Sequence, residues 1–376
     1  MKVYFDNAAT TPVYPEVVDS MVSVLREQFG NPSSIHAYGR EVRTAIENAR
    51  KTVARLLNCM PAEIFFTSGG TEADNMSLRC TVSDLGFRHV ITSPLEHHAV
   101  LHTLEAMEHR GDIRLSLVDV DQKGNVSMDH LEKLLSGSGP SFVSLMHANN
   151  EIGTLLPLKE TGLLCRRYNA LLQSDTVQTM GHLPIDLSDL QVDFITGAAH
   201  KFHGPKGVGF LYINRNVRIS PFITGGAQER NMRGGTENVY GIVGLAKALE
   251  MAHAGMLEDI RKVTSLKNYM VQRLRDEIPG IGFNGDLDNS LYTVLNVSFP
   301  PSDNSEMLLF SLDIAGIACS AGSACSSGSN VGSHVLKAIH ADPLRSAVRF
   351  SFSKFNTTEE VDYCLEKIRE IFLVKA

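Results

Sequence analysis

Between about residues 63 and 213, short apolar runs alternate with helix-like segments, and this alternation limits the possible folds more than any other feature of the chain. The runs are Ile64 to Thr67, His89 to Thr92, Arg114 to Val118, Phe142 to Met146, Leu171 to Ser174, Asp193 to Thr196 and Gly209 to Ile213. Several are nearly continuous in apolar residues rather than alternating, as in strands covered on both faces. The pattern therefore predicts an α/β domain around a mostly parallel sheet. Ligands of such sheets gather at the carboxyl ends of the strands.

From Tyr240 to about Ile278 there is no proline, and Ile242, Leu245, Leu249, Met256 and Ile260 recur at helical spacing. Gly241, Gly244 and Gly255 weaken that pattern, so it predicts one long helix, or two broken near Ala254-Gly255. After Pro279-Gly280 come a strand-like run over Tyr292 to Val297, a helix over Glu306 to Ile314, a strand over Val348 to Phe352 and a terminal helix from Thr358 to about Phe372. Together these read as a smaller α+β domain.

A chain of 376 residues with 43% hydrophobic and 20% charged residues can bury a large core, and the length suggests about two or three domains. The formal net charge of -7 argues against a nucleic-acid partner, which would need clustered surplus Lys and Arg. No run approaches the roughly 18 apolar residues of a membrane span, and the start lacks a signal-peptide apolar region, so a cytoplasmic location is expected. The six cysteines contain no CxxC pair, so neither a disulfide framework nor a zinc knuckle is suggested. Cys325 differs from the others because Gly and Ser crowd both its flanks, as in an exposed, mobile loop.

Lys201 follows the apolar run Val192 to Ile195 and lies in Ala198-Ala199-His200-Lys201-Phe202-His203-Gly204-Pro205. An amine in such a partly desolvated position loses its proton readily and can form a Schiff base with an aldehyde cofactor. Thr67-Ser68-Gly69-Gly70-Thr71-Glu72 follows a strand and opens a helix, a place for a phosphate on backbone amides. A plain capped helix would carry the same residues. Asp175 ends a predicted strand, where it would either cap the next turn or hold the protonated ring nitrogen of pyridoxal phosphate. Gln178, one turn on, is placed to donate to that cofactor's phenolic oxygen. His97, after the strand ending near Thr92, is placed to stack on a flat ring and relay protons. His98 and His102 have metal-pair spacing, but the HExxH pattern and a third ligand are missing.

Read together, these segments resemble the cysteine desulfurases, pyridoxal-phosphate enzymes of the class V aminotransferase group within fold type I. The likeness runs nearly end to end, through Tyr4 to Pro12, Asn31 to His36, Thr67 to Asn75, Glu96-His97, His147 to Gly153, Ser174-Asp175, His200-Lys201, Gly225 to Arg230, Arg233 to Asn238, Gly322 to Cys325 and Arg349 to Ser351. The resemblance implies a large cofactor-binding domain over residues 15–250, and a small domain from 1–14 with 251–376 that carries the Cys325 loop and Arg349. It implies that Lys201 is the Schiff-base lysine and general base, His97 the stacking imidazole, and Asp175 and Gln178 the partners of the ring nitrogen and phenolic oxygen. Gly70, Thr71, Ala198 and His200 match phosphate-side positions. Thr236 matches one that reaches the phosphate in the other subunit, which implies a homodimer. Asn150 and Arg349 match substrate-side positions, with the guanidinium on the amino-acid carboxylate.

Cys325 matches the nucleophile that takes sulfur from L-cysteine, leaving L-alanine and a persulfide for a sulfur-acceptor protein such as an iron-sulfur scaffold. One departure is Ala198, where the family usually has Ser, so one hydroxyl contact to the phosphate is missing. Rival readings are a selenocysteine lyase or aminotransferase of the same fold, which would share Lys201 and Asp175, and a non-catalytic sulfur-relay or scaffold protein.

Overall fold

The structure is a computed structural model that describes residues 1–137, 139–302, 307–322 and 332–373. In chain order its strands are β1 (Val3–Tyr4), β2 (Ile64–Thr67), β3 (His89–Thr92), β4 (Arg114–Leu117), β5 (Ser141–Ser144), β6 (Leu171–Asp175), β7 (Phe194–Ala198), β8 (Gly209–Ile213), β9 (Gly282–Asn284), β10 (Val294–Phe299), β11 (Ile317–Ala318) and β12 (Ser346–Ser351). The helices are α1 (Pro15–Glu27), α2 (Ala37–Leu56), α3 (Gly70–Leu85), α4 (His98–His109), α5 (Met128–Ser136), α6 (Leu158–Arg167), α7 (Gln228–Asn231), α8 (Val239–Glu277), α9 (Leu308–Ile314), α10 (His334–Ala338) and α11 (Thr358–Leu373).

All seven expected runs are strands of one seven-stranded sheet, ordered β2-β8-β7-β6-β5-β3-β4. Strands β2, β3, β5, β7 and β8 are buried along their whole length, which explains runs without polar alternation. Within this sheet β8 alone runs against its neighbours, pairing antiparallel with both β2 and β7. The other six strands therefore end on the same side.

Helix α8 is continuous through Ala254-Gly255 over 39 residues, roughly 58 Å at 1.5 Å per residue. The break does not occur because each half has its own core to pack on. Ile242, Leu245 and Leu249 join the apolar cluster beneath the large sheet, whereas Val263, Leu266, Met270 and Leu274 join a second cluster with β10 and β12. Tertiary burial outweighs the cost of the glycines, about 1 kcal/mol each.

The second cluster also takes in the start of the chain. β1 pairs with β11, and Phe5 is fully buried, edge-on to Phe350 at 6.2 Å and Phe352 at 5.2 Å. Burying such a ring contributes about 2–3 kcal/mol. From there residues 8–14 cross to the large sheet, where Thr11 N–H and its hydroxyl both donate to the His200 carbonyl (2.9 and 3.0 Å).

His203 holds this crossing. Its Nδ1–H donates to the Pro12 carbonyl (2.8 Å) and its ring stacks on Tyr14 at 4.5 Å. Burial pushes its pKa down to about 4, so the unfolded chain takes up this proton first as pH falls from 6.5 towards 4. Acidification from pH 7 to 5 should therefore cost about 2 kcal/mol of stability through this residue. Urea unfolding of His203→Asn, a residue that tolerates the left-handed φ of 64°, should show a correspondingly flatter pH dependence.

Candidate active site

The six co-directed strands bring the loops after β2, β3, β5, β6 and β7 to one rim. The small sheet adds Arg349 from β12. Between them lies a cavity of about 200 Å³ lined by Gly70, Thr71, His97, Asn150, Asp175, Gln178, Ala198, His200, Lys201 and Arg349. These were expected from the sequence; Ala8, Ala9, Asp74, Met146 and Val177, which also line the cavity, were not. Thr236 does not reach this cavity: it is exposed and lines a neighbouring recess with Arg233 and Glu237. Cys325 lies outside the described residues.

Lys201 sits in the connection that reverses the chain from β7 into β8. Its Nζ donates to the carbonyls of Ala8 (2.5 Å) and Ala9 (2.9 Å), so the N-terminal crossing segment orients the amine. Gln178 Nε2 donates to the same Ala8 carbonyl (3.0 Å). Behind the lysine, His182 Nε2–H donates to the Lys201 carbonyl (3.0 Å), while its Nδ1 faces the Tyr292 hydroxyl at 3.2 Å. The lysine backbone is thereby tied to the smaller core as well as the larger one.

Asp175 is 6% exposed. Among the described residues its side-chain hydrogen bonds are both on Oδ1, from Val177 N–H (2.9 Å) and the Thr196 hydroxyl (3.3 Å). The turn-capping role is thus present, and it leaves Oδ2 for a ligand. Two further buried carboxyls stand near it, Asp74 and Glu96. Burial first, then the charge of Asp175, raises the Asp74 pKa well above the usual carboxylate range, and burial does the same to Glu96. Sequence reasoning missed both as site residues. The available signal was helical spacing, since Asp74 stands one turn after Gly70 on the inner face of α3.

His97 caps α4, its Nδ1 accepting from Ala99 N–H (3.1 Å). Nδ1 is therefore unprotonated, and burial lowers the ring pKa against the opposing pull of Asp175. The neutral ring carries its proton on Nε2. At the other end of the cavity, Gly69 stands at the start of α3 and supplies no side-chain cap. Glu72 instead binds Ser68 N–H (2.9 Å) and Arg233, leaving first-turn amides for an anion. A Cβ on Gly70 would stand 2.7 Å from Val177 Cγ2, so no side chain fits at this point of the cradle. His200 is kept neutral, burial and then the charges of Lys201 and Lys206 lowering its pKa to about 4.

Arg349 is 1% exposed, with Nη1 donating to the Asn150 carbonyl (2.8 Å) and Nη2 paired with Asp6 (2.8 Å). Its Nε is buried and has no hydrogen-bond partner among the described residues. A buried N–H without a partner is costly, and Arg349 is among the residues that line the cavity. A carboxylate is the matching group.

The five described cysteines are unsuited to nucleophilic work. Burial pushes Cys59, Cys165 and Cys319 up to about 12 and Cys80 to about 11, and raises Cys364 well above a normal thiol. On either side of residues 323–331, Gly322 and Ser333 both meet the buried Glu151: Ser333 Oγ donates to its Oε2 (2.5 Å), and a Cβ on Gly322 would stand 3.2 Å from the same oxygen. Glu151 is a further residue whose place the sequence did not disclose.

The loop carrying Thr236 is anchored by a buried ion pair. Arg50 grips Glu229 through both Nη atoms (2.7 and 2.8 Å), both side chains being 2% exposed, and Glu229 also accepts Phe66 N–H (2.8 Å). Glu229, Arg230 and Asn231 all adopt left-handed φ angles, a strain the pair offsets. Arg50→Met leaves Glu229 buried and unpaired, so urea unfolding should show a loss of about 3–5 kcal/mol.

Residues 3–364 match the family model described as Aminotransferase class-V. The chain is 43% identical over 374 residues to a cysteine desulfurase IscS of Dictyoglomus turgidum, covering 98% of this chain and 94% of that protein. A solved NifS-like protein has a TM-score of 0.91 at 41% identity, over 99% of both chains. A structure described as SspA in complex with cysteine has a TM-score of 0.82 at 30% identity, over 95% of this chain and 100% of that one. With the fold type I architecture and a lysine in the turn that follows β7, these likenesses place the chain in the aminotransferase class-V family, among its cysteine desulfurases.

Proposed function

We propose that the chain binds pyridoxal 5'-phosphate on Lys201 and converts L-cysteine to L-alanine, leaving a persulfide on Cys325. The observation that carries this reading is that Lys201 and Arg349, whose Nε lacks a described partner, line one cavity: an amine and a carboxylate receptor face the same space. The fit to the cofactor is supported by Asp175 Oδ2 for the ring nitrogen, Gln178 for the phenolic oxygen, His97 for the ring face, and the α3 amides with Thr71 and His200 for the phosphate. Ala198 supplies no hydroxyl there. When bound, the cofactor provides an electron-withdrawing ring that stabilises negative charge at the substrate α-carbon.

The chain's own groups do the rest. Arg349, with Asn150 beside it, grips the substrate carboxylate and fixes the α-carbon before Lys201. Lys201 Nζ takes the α-proton and later returns protons to carbon. The Cys325 thiolate attacks the substrate sulfur; an S–S bond forms as the C–S bond breaks, and the carbon product becomes alanine. A normal thiol has a pKa of about 8.5, so Cys325 must give up its proton before it attacks. The persulfide sulfur then passes to an acceptor protein for iron-sulfur or other thio-cofactor assembly.

The same proposal includes a homodimer in which Thr236 reaches the phosphate of the other subunit. Its exposure, and its place on a loop fixed by Arg50 and Glu229, support that role. It also includes the division into residues 15–250 and residues 1–14 with 251–376, which the two apolar clusters support. No described helix is long and apolar enough to cross a membrane.

Reconstituted protein given L-cysteine should release alanine and carry one added sulfur on the Cys325 peptide by mass spectrometry. Cys325→Ala should keep the visible cofactor band yet lose sulfide release by at least about 100-fold. Retained turnover would remove Cys325 from the reaction. Lys201→Ala should form no alanine above background, and persistent activity would overturn its assignment as the base.

A further inference from the structure

His182 lies outside the lining of the active-site cavity, and none of the reaction steps calls on it. It stands in the turns that follow β6, next to Gly181 with its left-handed φ of 77°. A Cβ at Gly181 would stand 2.8 Å from Phe202 Cβ and 3.2 Å from Ala252 Cβ, so glycine lets this segment close onto the lysine turn. The close approach sets His182 Nε2 at 3.0 Å from the Lys201 carbonyl oxygen and Nδ1 at 3.2 Å from the Tyr292 hydroxyl. A carbonyl oxygen only accepts, so Nε2 carries the proton. In the neutral ring Nδ1 is then an acceptor, and the Tyr292 hydroxyl donates to it. Burial lowers the His182 pKa against the pull of the Lys201 carbonyl and of Asp259, in keeping with a neutral ring. Asp259 is itself paired with Lys354 at 3.3 Å.

Phe202 N–H meanwhile donates to the Ala199 carbonyl (3.1 Å). The peptide that joins Lys201 to Phe202 is therefore held at both of its polar atoms, one by the lysine's own turn and the other, through the imidazole, by a tyrosine of the smaller core. At the far end of the same side chain, Nζ meets the Ala8 and Ala9 carbonyls. We propose that His182 is a positioning residue for Lys201: by bridging the Tyr292 hydroxyl to the Lys201 carbonyl, it fixes the peptide from which the lysine side chain springs, and so the direction of the amine towards the substrate α-carbon. This rests on the reading of Lys201 as the base.

Two measurements test this on wild type, His182→Leu, His182→Gln and Tyr292→Phe. One is hydrogen–deuterium exchange of the peptide spanning Lys201 and Phe202, in the full chain before cofactor loading. The other is steady-state alanine formation by the loaded protein from L-cysteine carrying hydrogen or deuterium at the α-carbon. His182→Leu removes the donor and should speed exchange about tenfold. It should also lower kcat about tenfold and leave KM within about twofold, since the Arg349 grip on the carboxylate is untouched. The isotope effect on kcat should be no smaller than in wild type, because the slowed step is the proton transfer. A glutamine amide places a donor where Nε2 stands, so His182→Gln should bring kcat and exchange back to within about threefold of wild type. Tyr292→Phe removes only the hydroxyl and should move both in the direction of His182→Leu by about threefold. Wild-type exchange and kcat in His182→Leu would overturn the proposal, as would a loss that His182→Gln does not recover, or an isotope effect that falls below that of wild type. If His182→Leu does not fold, an unmoved Tyr292→Phe overturns it alone. A wild-type protein that forms no alanine would instead remove the reaction reading itself, and this proposal with it.

Discussion

A buried carboxylate without a cation in its hydrogen bonds is the constraint around which the rest of this molecule is arranged. Asp175 is held by a backbone N–H and a hydroxyl, Asp74 by the Gln173 amide, and Glu96 by the Met146 N–H. Left ionised together, three such groups would repel one another strongly in a low-dielectric site. Burial raises the pKa of Asp74 and of Glu96, which favours their neutral forms beside Asp175 and relieves that repulsion. The cationic ring N–H of the proposed cofactor would pair with Asp175 in this cavity.

The second requirement is that an amine and a guanidinium face this wall from different parts of the chain. Lys201 comes from the large sheet and Arg349 from the small one, and the N-terminal segment links them. Ala8 and Ala9 orient the lysine, Asp6 holds the arginine, and Phe5 is buried in the core beneath β12. Residues at opposite ends of the sequence thus share one network, with Asp6 and Arg349 separated by 343 positions. Movement between the two cores would alter the distance from Lys201 to Arg349 directly, so His182, Tyr292 and the unbroken α8 act to keep that span constant.

Much of this was legible in the sequence because the large sheet is buried on both faces, and a continuous apolar run as short as Ile64 to Thr67, bounded by turn residues, fits a doubly covered strand better than a helix. Lys201, Asp175 and His97 followed from their places after strands, Asn150 and Arg349 only from the resemblance to the family, and Lys201, Asp175 and Arg349 line one cavity. What the sequence did not disclose depends on distant packing. Asp74 and Glu96 read as ordinary helix and loop acids, since only the folded chain buries them beside Asp175. Arg50 lies in a helix rich in charged residues, and its partner Glu229 is 179 positions away. The continuity of α8 was ambiguous for a related reason: local propensity disfavours glycine, and the two cores that override it are assembled from both ends of the chain.

The proposed chemistry stands on the covalent seat of the cofactor at Lys201. Borohydride reduction of the cofactor-loaded protein, followed by peptide mapping, tests this most directly. A pyridoxyl adduct on the peptide that contains Lys201 is the expected result. An adduct confined to another lysine, or none after reduction, would contradict it.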